Sequence, residues 1–301
     1  MHKINPKDFF DKYLLIGSID SYQSIEPRKC RFCGETSDLF FKTDTHLISE
    51  LLGENNFFSN DECDKCNSLF SKYESQLAIL ARPFLTLTNT KTKSKTPTFQ
   101  SRTDFENQTR TTIQVDKSTS QRIMTANPQD VVINENGTFE IILRNPEFRP
   151  TQVYKALCKM ALGIMPLNEI GDNKDYFDWL IGEKELFEIS HGFLTKLFTI
   201  YSKSPSVMLY QSKKLIDENY EYPEFIGIVY FANVVIQFCL PISNRLLKLH
   251  KEEYKLNLTI FPAFAHDGIT QQNQKTTITH INLTQKEKIK YDEKFIFKPR
   301  K

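Results

Sequence analysis

Apolar residues recur along the chain with two periods, and the switch between them outlines its organisation. After Cys66, the residues Leu69, Phe70, Tyr73, Leu77 and Leu80 stand three and four apart. That spacing predicts a helix over residues 67–80 with one apolar face, ended by Pro83. A second helix is expected to open at Pro150, with Val153, Leu157, Met160, Ala161 and Ile164 as its stripe and Pro166 as its stop. Shorter helices are expected over residues 174–181 and 187–200. Residues 4–15 read as an N-terminal helix, with Asn5 as cap and Pro6 in the first turn. Its Phe9, Phe10, Tyr13 and Leu14 would pack on the neighbouring domain.

β-Branched and aromatic runs mark the strands. Residues 39–43 read as a strand leading to His46. Further strands are expected over 111–115, 131–133, 138–143, 206–210, 225–232, 234–240 and 256–261. Asn136-Gly137 signals a hairpin between the second and third of these. The longest apolar stretch, residues 225–242, is broken by Asn233 and Gln237 and is rich in Ile and Val, so it reads as two buried strands and not as a membrane-crossing helix. The pattern predicts an α+β protein in three parts. Residues 1–85 form one domain, 86–149 a β-rich segment with a loop over 91–98, and 150–301 an α+β domain. A chain of 301 residues can bury a core that size. There is no internal repeat, and Gly182-Glu183-Lys184 lacks the glycine run of a phosphate-binding loop.

Cysteine spacing adds chemistry to this outline. Cys30-Arg31-Phe32-Cys33 and Cys63-Asp64-Lys65-Cys66 are two C-x2-C pairs. Together they supply the four soft ligands of a tetrahedral, closed, structural zinc site. The other two cysteines, Cys158 and Cys239, lie in apolar surroundings and read as buried thiols. Thiolate ligands must stay reduced, and the first residues show no secretory signal pattern, so a cytoplasmic location is expected.

The segment from Ile25 to Leu85 resembles the HNH nuclease family. The resemblance rests on Cys30-Arg31-Phe32-Cys33-Gly34, on Thr45-His46-Leu47-Ile48-Ser49-Glu50-Leu51-Leu52-Gly53, and on Asp61-Glu62-Cys63-Asp64-Lys65-Cys66-Asn67-Ser68-Leu69-Phe70 with Tyr73-Glu74 beyond. It implies a zinc-braced ββα-metal fold in which His46 is the general base and Asn67 a ligand of a catalytic Mg2+ or Mn2+. Glu74 lies seven residues further on the same helical face, as a second ligand or a supporting group. Asp44, Glu50 and a backbone carbonyl near His46 are further donors. Thr45 stands where the family often has an acidic ligand, Ser49 replaces a usual proline, and the usual Gly-Asn pair reads Gly53-Glu54, followed by Asn55 and Asn56. Blander roles remain for each residue: a turn histidine, a helix N-cap at Asn67, a solvated carboxylate at Glu74.

Phosphodiester hydrolysis needs an activated water and neutralised phosphoryl charge, and histidine suits the first task. The resemblance implies DNA as substrate, a setting in bacterial restriction or anti-phage defence, and a homodimer. It also implies a C-terminal domain that responds to a protein or a small signal molecule. RNA as substrate and a non-catalytic binding module are the alternatives. The net charge of +2 does not by itself indicate nucleic acid, but it is unevenly spread. Residues 91–122 and 286–301 each carry seven basic side chains, while residues 169–188 are acidic. Lys91, Lys93, Lys95 and Arg102 are the expected phosphate contacts, with solvated surface strands as the plain alternative. His2, His191, His250, His266 and His280 lack ligand spacing.

Overall fold

The computed structural model describes residues 6–93, 95–102, 109–116, 118–197, 202–213, 222–244, 257–263 and 277–297. In chain order its elements are α1 (Pro6–Phe10), β1 (Tyr13–Ser18), β2 (Thr45–His46), β3 (Phe58–Ser59), α2 (Asp64–Thr88), β4 (Phe99–Gln100), β5 (Thr112–Val115), β6 (Arg122–Thr125), β7 (Val131–Ile133) and β8 (Phe139–Arg144). Then come α3 (Pro150–Gly163), α4 (Leu167–Ile170), α5 (Lys174–Ile181), β9 (His191–Lys196), β10 (Ser202–Ser212), β11 (Phe225–Ala232), β12 (Val234–Cys239), β13 (Thr277–Asn282) and β14 (Asp292–Phe297). The mixture of helix and sheet agrees with the α+β expectation.

The largest sheet is antiparallel, in the order β1-β10-β11-β12-β9-β13. Alternation along β10 assigns its faces: Val207 and Leu209 join the core around α3, while Met208 and Tyr210 join Phe9 and Phe261 on the other side. With both faces covered, β11 and β12 are buried at every position, which explains their continuous apolar runs. Helix α3 lies between this sheet and α2 and is therefore buried nearly all round. Gly17 lets β1 pass the end of α3, since a Cβ there would sit 2.5 Å from the Ile164 carbonyl oxygen. Three smaller sheets complete the fold: β14-β8-β7, β4-β5-β6 and β2-β3. Elements of all three expected segments thus share sheets and core, as β1 pairs with β10 and β14 with β8.

Several elements differ from the sequence expectations. The first helix stops at Phe10, because Tyr13 and Leu14 already pair with Ser212 and Gln211 of β10. Residues 39–43 are not a strand: a short 3-10 turn covers Asp38–Phe40, and the strand is β2, which includes His46 itself. Pro83 does not end α2. The helix continues to Thr88 because Pro83, Phe84 and Leu85 are all buried, and that burial offsets a proline cost of about 3 kcal/mol. Its actual stop is Asn89, in the left-handed conformation at φ 56°. The helix expected over 187–200 is β9, held between β12 and β13. Gly192 belongs to that packing, since a Cβ there would lie 2.5 Å from Leu283. Residues 257–261 carry no strand. The Asn136-Gly137 hairpin forms between β7 and β8, with Gly137 at φ 75°. His2, Asn5, Asp104, Glu106, Lys117, His250, Leu256, His266 and residues 298–301 lie outside the described residues. Among the described residues, no helix is long and apolar enough to cross a membrane.

Candidate functional site

The two C-x2-C pairs converge. Cys30 and Cys33 sit on a turn closed by the Gly34 N–H bonding the Cys30 carbonyl at 2.9 Å, with Gly34 at φ 78°. Cys63 caps α2 and Cys66 lies in its first turn. The four Sγ atoms all lie within 4.8 Å of one another, with Cys30–Cys66 at 3.8 Å and Cys33–Cys63 at 3.5 Å. A tetrahedral ion with metal–sulfur bonds of about 2.3 Å would separate its sulfurs by roughly 3.8 Å. The donor set therefore fits a metal ion such as zinc. The bond between the Cys30 and Cys66 sulfurs holds Cys30 below the usual range and, with burial, pushes Cys66 up, while burial pushes Cys63 up. Four thiolates side by side would need a cation between them.

Arg31 and Asp61, which sequence reasoning passed over, brace this centre. The Asp61 carboxylate is fully buried and accepts from Arg31 Nε (3.0 Å), Tyr22 Oη (2.8 Å), Ser59 Oγ (2.9 Å) and the Ile25 N–H (3.2 Å). Arg31 also donates to the carbonyls of Met165 and Gln23, both at 2.6 Å. One buried ion pair thereby links the first cysteine turn, β3 and the segment just after α3. Asp64 performs a lighter version at the surface, where its carboxylate accepts the N–H groups of Lys42 and Thr43.

His46 stands on β2, opposite Phe58 of β3. Its side chain is 17 % exposed. Nδ1 lies 3.4 Å from Asn55 Oδ1, and Nε2 lies 3.4 Å from Glu50 Oε1. The Asn55 amide is fixed by its own loop: Nδ2 donates to the carbonyls of Ile48 and Gly53, so Oδ1 is the acceptor. Both ring nitrogens of His46 therefore lie beside oxygen acceptors, Nδ1 beside the Asn55 amide and Nε2 beside the Glu50 carboxylate. Glu50, expected as a possible metal donor, instead faces the histidine. Asn55 was missed; its only sequence signal is an asparagine displaced by one from the usual Gly-Asn.

Glu74 accepts from Lys159 Nζ at 3.2 Å. Asn67 is half-buried in the first turns of α2, where its N–H bonds the Cys63 carbonyl, and it is not the N-cap. Asp44 is exposed, and the Thr45 hydroxyl donates to the Ser59 carbonyl at 2.9 Å. Among the described residues, only the four cysteines converge as a group of three or more His, Cys, Asp or Glu donors. The magnesium or manganese centre that the resemblance implies does not fit at Glu74, where the Lys159 ammonium already meets the carboxylate.

Lys91, Lys93 and Lys95 are exposed on a turn directly after α2, closed by a bridge between Thr92 and Lys95. The Lys91 carbonyl accepts the Glu54 N–H at 2.8 Å, which ties this basic turn to the loop carrying Asn55. Arg102 is committed elsewhere: its guanidinium pairs with Asp292 at 2.8 Å and donates to the Asn145 carbonyl at 2.6 Å. Comparisons with protein-family models, with curated proteins and with solved structures find no match to this chain.

Proposed function

We propose that the protein is a zinc-braced phosphodiester hydrolase of the HNH kind. The observation that carries this reading is His46, held by Asn55 on a two-stranded hairpin that runs directly into the cysteine-anchored helix α2. Zinc at the four cysteines fixes the start of α2 against the first cysteine turn and has no open position for chemistry. His46 Nε2 takes a proton from the attacking water, while Asn55 holds the opposite nitrogen in its protonated form. Glu50, 3.4 Å from Nε2, stabilises the imidazolium that results. Lys91, Lys93 and Lys95 draw a phosphate backbone towards this edge. DNA is the proposed substrate and bacterial restriction or anti-phage defence the proposed setting, both carried over from the resemblance.

A non-catalytic zinc-braced binding module is the second reading. It is favoured by Thr45, which stands in the place of an acidic ligand with its hydroxyl bonded to Ser59. One experiment separates the two. Zinc-loaded protein is incubated with supercoiled plasmid and, separately, with RNA, in Mg2+, Mn2+ or EDTA, beside His46→Ala. Nicking of plasmid that is lost in His46→Ala supports the hydrolase. Binding without cutting supports the module, and cutting of RNA alone reassigns the substrate.

A further inference from the structure

Lys159 is a charged residue in the middle of the most deeply buried helix, and it is 2 % exposed. Its ammonium reaches out of α3 to three oxygens, on the hairpin, on α2 and on the link between them. It donates to the His46 carbonyl at 2.7 Å, to Glu62 Oε2 at 3.2 Å and to Glu74 Oε1 at 3.2 Å. An ammonium has three N–H groups, and each has an acceptor here. Burial alone would lower the affinity of Lys159 for its proton, but the carboxylates of Glu62 and Glu74 outweigh that and raise it. Glu62 Oε1 is buried and has no hydrogen-bond partner among the described residues.

A carbonyl and two carboxylates around one point are the donors that a hard divalent cation takes. We infer that the Lys159 ammonium is the resident cation of this oxygen cluster, and that it holds the place at Glu74 which the resemblance gives to a metal ion. The Glu74 carboxylate balances the ammonium, while burial pushes the Glu62 carboxyl, with its unpartnered Oε1, up to about 7. A divalent ion at Glu74 would have to lie against a fixed positive charge, so the wild-type protein takes none there. Removing the lysine side chain clears the space and leaves all the oxygens. The same contacts attach the carbonyl of His46 to α3, so the His46 strand is held by a residue far along the chain.

The test is Mn2+ titration of the full-length, zinc-loaded protein, followed by electron paramagnetic resonance of the free ion. Wild type and Glu74→Gln should bind Mn2+ with the same stoichiometry and affinity. Lys159→Ala should gain one Mn2+ at least tenfold tighter than any wild-type site, and Lys159→Ala/Glu74→Gln should lose that gain. Loss in Glu74→Gln of an ion that wild type binds would overturn the inference. So would a zinc-retaining, folded Lys159→Ala protein with no gain. If Lys159→Ala does not fold, the comparison of wild type with Glu74→Gln decides alone. The titration needs no cleavage activity, so its failure and the failure of the plasmid assay are separate results.

Discussion

Replacing Asp61 by alanine tests how the cysteine centre is anchored. The carboxylate is fully buried and accepts four hydrogen bonds, and its partner Arg31 is 4 % exposed. Removing one member of a buried ion pair strands the other charge, at about 3–5 kcal/mol. The two carbonyls that Arg31 still reaches soften that cost, while the hydroxyls of Tyr22 and Ser59 and the Ile25 N–H lose their acceptor. Asp61→Ala should therefore lose at least about 3 kcal/mol of stability. Arg31→Met/Asp61→Ala leaves no stranded charge and should be less destabilised than the sum of the two single changes, by at least about 2 kcal/mol. The assay is urea unfolding in excess zinc, followed by circular dichroism and Trp179 fluorescence. A loss under about 1 kcal/mol in Asp61→Ala, or additivity of the pair within about 0.5 kcal/mol, would refute the reasoning.

Four other outcomes are expected. Cys66→Ser should fail to retain one zinc per chain by atomic absorption and should lower the melting temperature, because a structural zinc contributes binding energy of about 10–16 kcal/mol, as large as a domain's net stability; full zinc retention would argue against the four-sulfur site. Asn55→Leu should keep its zinc yet cut plasmid on the order of 10²-fold more slowly, since it frees the His46 ring from its aligned position; an unchanged rate would mean Asn55 does not set the base. Changing Lys91, Lys93 and Lys95 to alanine should flatten the salt dependence of DNA affinity by roughly 0.9 in log–log slope for each lysine that meets a phosphate; an unaltered slope places the DNA elsewhere. Iodoacetamide at pH 8 should leave Cys158 and Cys239 untouched in the folded protein, because burial pushes Cys239 up to about 12 and Cys158 upward as well; mass spectrometry showing native-state alkylation of either would contradict that burial.

The sequence by itself determined the features that a few neighbouring residues decide. A C-x2-C pair with glycine after it carries its own turn, so the two pairs could be read as one four-sulfur centre before any fold was known. The apolar face of α2, the proline start of α3 and the Asn136-Gly137 hairpin are local in the same sense. His46 was legible as a singular residue near the cysteines, but its neighbours were not. Tertiary structure alone carried α2 through Pro83 and made a strand of residues 191–196, because burial and ladder partners outweighed local propensity. It alone set Glu74 against Lys159, 85 residues away, and the His46 carbonyl against the same ammonium, 113 residues away. A lysine within an apolar helix announces no partner in its own neighbourhood. Its charge must be met wherever the fold brings oxygens to it, and that meeting point is set by how α2, the hairpin and α3 pack together.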